Sequence, residues 1–277
     1  MHRFSTPLIA LLLLPACAFA GVDEGQKAFD AKNYELARQE WQPLADQGNA
    51  EAEYGMGLLC ADGLGMPEDD ERAVSFFQSA ADQNYTPAEF KLADAYHQGR
   101  GVRHNSAQAV HWYHKAAEQG NIAAQLQFGQ MYVSGDGVVQ SDTEALHWLV
   151  LAARQGNPVA EYDIGTIYST GSGIDRDYTA SVSWLRKAGE QYYLPAQLAL
   201  ASFYIKGSSG EVDMVQGFLW LSLAAQAGDS GAAQALKQLQ ENMGHYELRD
   251  GRKALKDWLQ AHPQAAPASM AASAAKP

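Results

Sequence analysis

The sequence predicts an all-α fold, an α-solenoid in which helix–turn–helix units of one length stack on one another. Three observations predict it. The phrase QGN occurs at 47–49, 119–121 and 155–157, and both a glycine and a large aromatic residue return every 36 residues. Regular repeats of this length are typical of solenoids, because a single unit cannot bury its apolar face and needs its neighbours to cover it.

The 36-residue period runs through five cycles without an insertion. Glycine occupies one position of it, at 63, 99, 135, 171 and 207, and alanine another, at 52, 88, 124, 160, 196 and 232. The aromatic position holds Phe76, Trp112, Trp148, Trp184 and Trp220. Because the aromatic spacing is that of the repeat, we expect these rings to lie in the core, and a ligand-binding aromatic ladder is the less favoured interpretation.

Each unit is predicted to hold two helices. Between Ala88 and Tyr96 the larger apolar residues return at the three- and four-residue spacing of one helical face. Gly99 is expected to end this helix, since glycine readily adopts the positive φ of a C-terminal cap. Residues suited to cap the N-terminus of the second helix recur at one position, as Asp69, Asn105, Ser141, Asp177 and Asp213.

These residues resemble the Sel-one-like repeat, a 36-residue relative of the tetratricopeptide repeat. One unit shows the pattern as Ala124, Phe128, Gly129, Tyr132, Gly135, Gly137 and Val138, followed by Ala145, Trp148, Ala152, Ala153 and Gly156. The resemblance covers about residues 25–260 and implies a right-handed superhelix that mediates protein–protein contacts. Departures are local: Cys60 replaces a tyrosine, and Asn84-Tyr85 and Tyr192-Tyr193 replace Gly-Asn.

The period divides the chain into nine predicted segments. Residues 1–20 form a signal peptide and 21–48 a shortened N-terminal unit that resembles a tetratricopeptide pair. Repeats follow at 49–84, 85–120, 121–156 and 157–192, with a degenerate repeat at 193–228. Residues 229–262 are expected to form capping helices with a polar outer face, and the Ala/Pro/Ser tail at 263–277 is expected to be disordered.

The first twenty residues carry the features of a secretory signal. Arg3 precedes an apolar run at 7–14, which is too short to span a bilayer. Ala18 and Ala20 form a small-residue cleavage site, so we expect cleavage after Ala20 and a periplasmic or secreted protein. The alternative is that the Leu-Pro-Ala-Cys stretch ending at Cys17 is a lipobox and that Cys17 anchors the protein, although proline suits that motif poorly.

The composition excludes several classes of function. The chain of 277 residues has a net charge of −12, so no basic footprint for nucleic acid or an anionic membrane is expected. Cys60 is the one cysteine left after the predicted cleavage. Neither an internal disulfide nor a cysteine-based metal cluster is therefore expected.

No catalytic constellation stands out in the sequence. It has no P-loop, G-x-S-x-G or H-E-x-x-H motif, and its paired glycines lack the third glycine of a dinucleotide loop. His104, His111, His114 and His147 form the one cluster that suggests a metal. Stacked helices lie about 10 Å apart, however, which is long for two ligands of one ion. We therefore expect no enzyme activity, no cofactor and no metal site.

Two classes of function remain. The favoured one is a non-catalytic scaffold or adaptor of the bacterial cell envelope with one or more protein partners, because stacked helix pairs present an extended surface that can hold a partner segment. The alternative, which the resemblance suggests, is a cell-wall-directed hydrolase, a β-lactamase-like enzyme or a modulator of one. No nucleophile with a neighbouring base supports that alternative.

By resemblance to tetratricopeptide arrays, the first helix of each unit lines the concave face and binds the partner. Its apolar residues are needed for the core, whereas the residues between them can differ from unit to unit. The predicted partner-binding residues are Lys91, Asp94 and Gln98; Gln127, Gln130 and Ser134; Asp163, Thr166 and Thr170; and Ser202 and Lys206. Members of a set are three or four residues apart and so form one stripe. The alternative is a merely solvated face, with binding at an edge or the tail.

The mature chain is expected to begin at Gly21, because Ala18 and Ala20 supply the small residues that a signal peptidase requires. Mass spectrometry of the native protein measures its N-terminus directly. A diacylglyceryl adduct on Cys17, with the protein in the detergent phase, would show that the lipoprotein alternative is right.

Overall fold

A computed structural model describes residues 16–171, 173–208 and 210–262. Most of these residues are helical and none of them lies in a β-strand, so the all-α prediction is confirmed. The chain divides between Ala124 and Gln125 into two compact units. Within the described ranges, no helix is both long and apolar enough to cross a membrane.

In the described part of the first unit, six complete helices precede the start of a seventh. They are α1 (Ala16–Asp30), α2 (Tyr34–Ala45), α3 (Ala50–Ala61), α4 (Asp70–Asp82), α5 (Thr86–Gln98) and α6 (Ser106–Glu118), followed by α7 (Ile122–Ser134). Successive helices from α1 to α6 pack against one another. Packing between chain neighbours is the arrangement expected of stacked helix pairs.

The second unit continues the pattern. Its further helices are α8 (Asp142–Arg154), α9 (Pro158–Thr170), α10 (Tyr178–Glu190), α11 (Leu194–Lys206), α12 (Met214–Gln226), α13 (Ser230–Asn242) and α14 (His245–Ala261). Successive helices from α8 to α13 pack against one another, and α14 packs back onto α12. We call α3, α5, α7, α9 and α11 the first helices of the repeats, and α4, α6, α8, α10 and α12 the second helices. These helix pairs confirm the predicted solenoid.

The predicted cap residues begin the second helices. The side chains of Asp69, Asn105, Ser141, Asp177 and Asp213 each accept a hydrogen bond from the backbone N–H three residues on. A cap of this kind typically stabilises a helix by about 1 kcal/mol. The glycine column ends the first helices, as at Gly99 and Gly171, which are left-handed with φ of 71° and 66°. The two columns therefore set where the helices of a repeat begin and end.

The aromatic column is fully buried at three of its five positions. Trp112, Trp148 and Trp220 are 7%, 8% and 1% exposed. Phe76 and Trp184 are half-buried and pack against the core clusters that contain Met56 and Ile164, so these two rings lie at the edge of the core. The ammonium of Lys187 lies 3.7 Å from the centroid of the Trp184 ring and covers it by a cation–π contact.

The two helices of a repeat touch where the first helix carries a very small residue. This position holds glycine or alanine in all five repeats, at 57, 93, 129, 165 and 201. A Cβ added at Gly129 would lie 2.7 Å from Leu149 Cγ, and one added at Gly165 would lie 2.7 Å from Leu185 Cγ. Carbon atoms at that distance overlap in a close-packed core, so a larger residue would push the two helices apart.

Three turns in the described part of the chain reach the left-handed conformation without glycine, at Lys32, Asn84 and Tyr192. Asn84 and Tyr192 replace the glycine of the repeated phrase and have φ of 65° and 63°. Asparagine tolerates this region well, whereas a bulky residue such as tyrosine adopts it at a cost. In the second unit, the Tyr192 ring packs edge-on against Trp258 of α14, with centroids 5.6 Å apart. That contact offsets part of the cost of the Tyr192 backbone.

Helix α14 covers the apolar side of α12 with one face. Leu255, Trp258 and Leu259 pack against the core cluster that contains Phe218 and Trp220. Charged side chains are exposed along the helix: Arg249, Asp250, Arg252, Lys253, Lys256 and Asp257. A terminal helix that buries one face and exposes charges on the other leaves no apolar surface of α12 open on this side.

The predictions for the two ends of the chain stay predictions. The leader up to residue 15 and the tail at 263–277 lie outside the described residues. Cleavage after Ala20 and lipidation of Cys17 likewise depend on side chains that are not described.

Replacing Trp148 by alanine is expected to destabilise the second unit severely. The Trp148 ring lies 5.1 Å from that of Phe128, centroid to centroid, and is 8% exposed. Loss of a buried tryptophan costs about 3–5 kcal/mol, part of it from the cavity left behind. Thermal melting followed by circular dichroism measures the effect. His147→Ala removes the neighbouring exposed ring and should leave the midpoint nearly unchanged. An unchanged midpoint for Trp148→Ala would revive the ligand-ladder interpretation.

Candidate partner-binding face

The predicted partner-binding residues lie on the first helices and are not part of the fully buried core. In the first unit, Lys91 and Asp94 are half-buried on α5, and Gln98 is exposed at its end. In the second unit, the half-buried residues are Gln127, Gln130, Asp163 and Ser202, and the exposed ones are Ser134, Thr166, Thr170 and Lys206. Their half-buried positions place polar groups beside apolar surface.

In the first unit, a cleft of about 160 Å³ opens between α3, α4 and α5, and we call it the α3–α5 cleft. Leu58, Val74 and Phe77 are among the apolar residues that line it. All three predicted residues of α5 line it as well, together with Asp62 at the C-terminal end of α3. The cleft therefore combines an apolar floor with a polar rim.

Asp94 is a half-buried carboxyl group in the α3–α5 cleft. The hydroxyl of Tyr113 donates a hydrogen bond of 2.6 Å to its Oδ1. Burial raises the pKa of Asp94, although this bond and the charge of Lys91 oppose the shift. Burial and the bond to Asp94 also raise the pKa of Tyr113, so the phenol stays protonated and acts as the donor.

One wall of the α3–α5 cleft is closed by Arg100. Its Nε lies 2.7 Å from Asp70 Oδ1, and its Nη2 donates to the carbonyl of Ala61 and to Glu68 Oε1. Arg100 links the loop after α5 to the end of α3 and the start of α4. Because its guanidinium already has these partners, it is committed to the fold rather than to a ligand.

The second unit contains a cleft of about 140 Å³ at the equivalent position, the α7–α9 cleft. It is lined by Gln130, Val133, Asp163, Thr166 and Ile167. Here Gln130 Nε2 donates to Asp163 Oδ2 at 2.8 Å. Burial raises the pKa of Asp163 and this bond opposes the shift. The equivalent residues two repeats earlier, in the α3–α5 cleft, are Leu58 and Lys91, and their side chains cannot form such a bond with each other. The two clefts thus share a position but differ in chemistry.

Three of the four predicted hydroxyl groups, those of Ser134, Thr166 and Thr170, are already used as donors by their own helices. Ser134 donates to the Met131 carbonyl at 3.3 Å, and Thr166 donates to the Tyr162 carbonyl at 3.1 Å. A hydroxyl that donates keeps acceptor lone pairs, so this part of the face can accept hydrogen bonds from a partner. Five of the predicted residues line neither of the two clefts: Gln127, Ser134, Thr170, Ser202 and Lys206.

A column of buried polar side chains escaped the sequence analysis. It runs through the first helices as Glu53, Glu89, Gln125, Glu161 and Gln197, each 6% exposed or less. In four repeats the glutamine that follows the second helix donates to this residue, and these glutamines are Gln83, Gln119, Gln155 and Gln191. The sequence carried the signal, since both columns have the 36-residue period of the alanine and glycine columns.

Each of these bonds satisfies a buried group within its own repeat. A buried polar group without a partner costs about 1–3 kcal/mol, so the bond is required for stability. Glu89, which is fully buried, also has the ammonium of Lys115 at 3.0 Å. Gln197 has Ala227 where the other repeats have glutamine, and it donates instead to the Gly189 carbonyl at 3.1 Å.

The clustered histidines have local partners. Among the described residues, no three His, Cys, Asp or Glu side chains are grouped so that they could hold a metal ion. The His111 and His147 rings lie edge-on against the tryptophans that follow them, at centroid distances of 5.0 and 5.1 Å. His114 Nε2 lies 3.6 Å from Glu118 Oε1. These contacts explain the histidines as surface residues of the second helices.

Comparison with known proteins identifies the repeat. The family model of the Sel1 repeat matches five consecutive segments, at 50–85, 86–121, 122–157, 158–193 and 194–229. The chain belongs to the Sel1 repeat family. The resemblance stated from the sequence is thereby confirmed, and such repeats generally act as scaffolds for protein interactions. No curated protein matches the chain significantly.

Three solved structures of bacterial proteins are similar to this chain. A Sel1 repeat protein from Oxalobacter formigenes is 30% identical, with a TM-score of 0.72 over 89% of this chain and 96% of that one. A protective antigen of uropathogenic Escherichia coli with an SLR fold is 20% identical, with a TM-score of 0.53 over 90% and 70%. An immunity protein from Pseudomonas aeruginosa is 19% identical, with a TM-score of 0.45 over 78% and 84%.

Replacing Glu161 by glutamine is expected to raise the melting midpoint at neutral pH. Burial raises the pKa of Glu161, although the bond from Gln191 and the charge of Lys187 oppose the shift. A carboxyl whose pKa is higher in the folded state binds its proton more tightly there. The folded wild type therefore gains stability as the pH falls from neutrality through that raised pKa, and the variant should lack this gain. Thermal melts across this pH range measure both effects.

The reverse exchange at the equivalent position is the matched control. Gln125→Glu should lower the midpoint at neutral pH and add the pH dependence that Glu161→Gln removes, because Gln155 can donate to either side chain. If Glu161→Gln instead lowers the midpoint at neutral pH, the negative charge is needed at this position and the prediction is wrong.

Proposed function

We propose that this Sel1 repeat protein is a non-catalytic scaffold or adaptor of the bacterial cell envelope, which holds a segment of a partner protein against its first helices. The observation that carries the proposal is the pair of clefts at equivalent positions in the two units. Each has an apolar floor and polar side chains that differ between repeats. Such variation over a constant core allows a repeat surface to be selective for its partner.

Polar side chains that have no partner within their own fold support the proposal that this face binds a partner. The side chains of Lys91, Gln98 and Asp62 form no hydrogen bond or salt bridge with the described residues. Side chains of this kind cost little to expose to water and are available to pair with a partner. The core residues of the same helices, such as Leu92 and Ile164, are fully buried and cannot take part.

Export belongs to the same proposal and rests on the leader. The leader has the features of a secretory signal: a basic residue at Arg3, a short apolar run and small alanines before Gly21. The partner would then be a protein of the envelope.

A non-catalytic role is supported by the state of Cys60, the one cysteine left after the predicted cleavage. Cys60 is fully buried, and burial raises the pKa of its thiol. A nucleophilic cysteine requires access and a lowered pKa, so Cys60 is a core residue. A turnover assay of the purified mature chain on peptidoglycan and on a β-lactam tests the enzymatic alternative, and turnover above background would overturn this part of the proposal.

The partner-binding face can be tested in the second unit. Changing Gln127, Gln130, Asp163 and Thr166 together to alanine should abolish capture of envelope partners by the immobilised mature chain. The change removes Gln130 and Asp163 together, so neither is left as an unpaired half-buried group. Pull-down from the envelope followed by mass spectrometry identifies the partners that wild type retains and the variant loses.

A matched control changes the second helices. Thr143, Glu144, Thr179 and Ser183 are exposed on α8 and α10, and they also comprise one acid and three neutral side chains. Changing these four to alanine should leave capture intact. If the first variant melts like wild type and still captures the same partners with undiminished affinity, the proposed face is wrong.

A further inference from the structure

We propose that the α3–α5 cleft binds a lysine or arginine side chain of an extended partner segment, with the aliphatic stem over Leu58, Val74 and Phe77 and the charge at Asp94 and Asp62. This inference deepens the proposed function and rests on it, since it names the chemistry of the partner at one of the two clefts.

The shape of the cleft fits a long unbranched side chain. Its volume is about 160 Å³, and a water molecule takes about 30 Å³ of liquid. The five heavy atoms of a lysine side chain therefore find room in it. Long cationic side chains bury their stems along apolar surface while the charged head reaches a polar group. The cleft provides an apolar floor for the aliphatic stem and a carboxylate for the charged head.

The open charges on the rim favour a cation. Asp94 Oδ1 is bound by Tyr113, whereas its Oδ2 accepts no hydrogen bond from the described residues. Asp62 is exposed and has no salt bridge there either. Arg100 is satisfied by Asp70, Glu68 and the Ala61 carbonyl. Lys91 is the one rim cation still open, against two open carboxylates.

The charge of the whole unit acts in the same direction. Residues 16–124 contain 17 acidic and eight basic side chains, a net charge of −9, whereas residues 125–262 contain 15 and ten, a net charge of −5. An acidic surface attracts cationic partners over a distance and accelerates their association at low salt. The unit that contains the α3–α5 cleft therefore carries the larger share of the negative charge of the protein.

The α7–α9 cleft is the internal comparison. Its carboxylate, Asp163, is half-buried like Asp94, and each accepts one internal hydrogen bond, Asp163 from Gln130 and Asp94 from Tyr113. The α3–α5 cleft has Asp94 where the α7–α9 cleft has Thr166, and Asp62 also lines its rim. Two rim carboxylates attract a ligand cation more strongly than the single carboxylate that lines the α7–α9 cleft. We therefore assign the cation to the first cleft alone.

Synthetic peptides test the inference on the full mature chain. The probe is an acetylated and amidated peptide with the central sequence Ser-Leu-Lys-Leu-Ser. Two matched peptides carry glutamate or the uncharged norleucine in place of lysine. Titrations followed by two-dimensional ¹⁵N NMR give the affinity and show which backbone amides move. We expect saturable shifts on α3, α4 and α5 with the lysine peptide, weaker binding of the norleucine peptide and none of the glutamate peptide.

Two substitutions on the rim should act in opposite directions. Asp94→Asn keeps an oxygen that can accept from Tyr113 and should weaken binding of the lysine peptide about tenfold, the scale of one charge-assisted hydrogen bond. Lys91→Met removes a like charge and should tighten the binding. Glu51→Gln, which removes an exposed carboxylate of α3 outside the cleft, is the matched control and should change the affinity less than about twofold.

A third variant tests the site by occupying it. Ala61→Phe places a ring at the cleft and should abolish binding while the melting midpoint stays near that of wild type. The inference is wrong if the lysine peptide does not bind saturably, if Asp94→Asn leaves its affinity unchanged, or if the glutamate peptide binds as well. Each of these results leaves the capture experiment on the second unit unaffected, so the inference can fail while the proposed function stands.

Discussion

The close contact between the two helices of a repeat is the constraint on which the rest depends. At Gly129 and Gly165 there is no room for a β-carbon, because Leu149 and Leu185 of the second helix occupy that space. One side of the first helix is therefore packed against the second helix of the same repeat. The core residues of the first helix pack onto neighbouring helices. What remains is a narrow stripe with half-buried polar groups, and the clefts lie along it.

The sequence was a good guide to the fold because the strongest constraints recur with the period. Cap residues such as Asp69 and helix-ending glycines such as Gly99 are local requirements, and they can be read from residue type and spacing alone. Exposure of Trp184 could not be read in this way, since its coverage depends on the ammonium of Lys187 in three dimensions. Tyr192 in a left-handed turn depends on Trp258, which lies 66 residues further along the chain.

The sequence was a weaker guide to the candidate site. It placed Lys91, Asp94 and Gln98 on one stripe, but the cleft they line also needs residues of α3 and α4. The bond between Gln130 and Asp163 joins residues 33 positions apart and was not predicted. The buried column that includes Glu89 and Glu161 was missed because a charged residue at an apolar-looking position is usually taken as solvated, and only its glutamine partner explains it.

The bonds between the buried column and the glutamines have a consequence for how such chains change length. Glu53 and Gln83 both fall within the matched repeat at 50–85, and Glu161 and Gln191 both fall within 158–193. A recombination event that duplicates or deletes one such segment carries donor and acceptor together. Such an event would leave no carboxylate of this column unpaired in the interior. The repeat that ends at 229 lacks the glutamine and is the least exchangeable of the five.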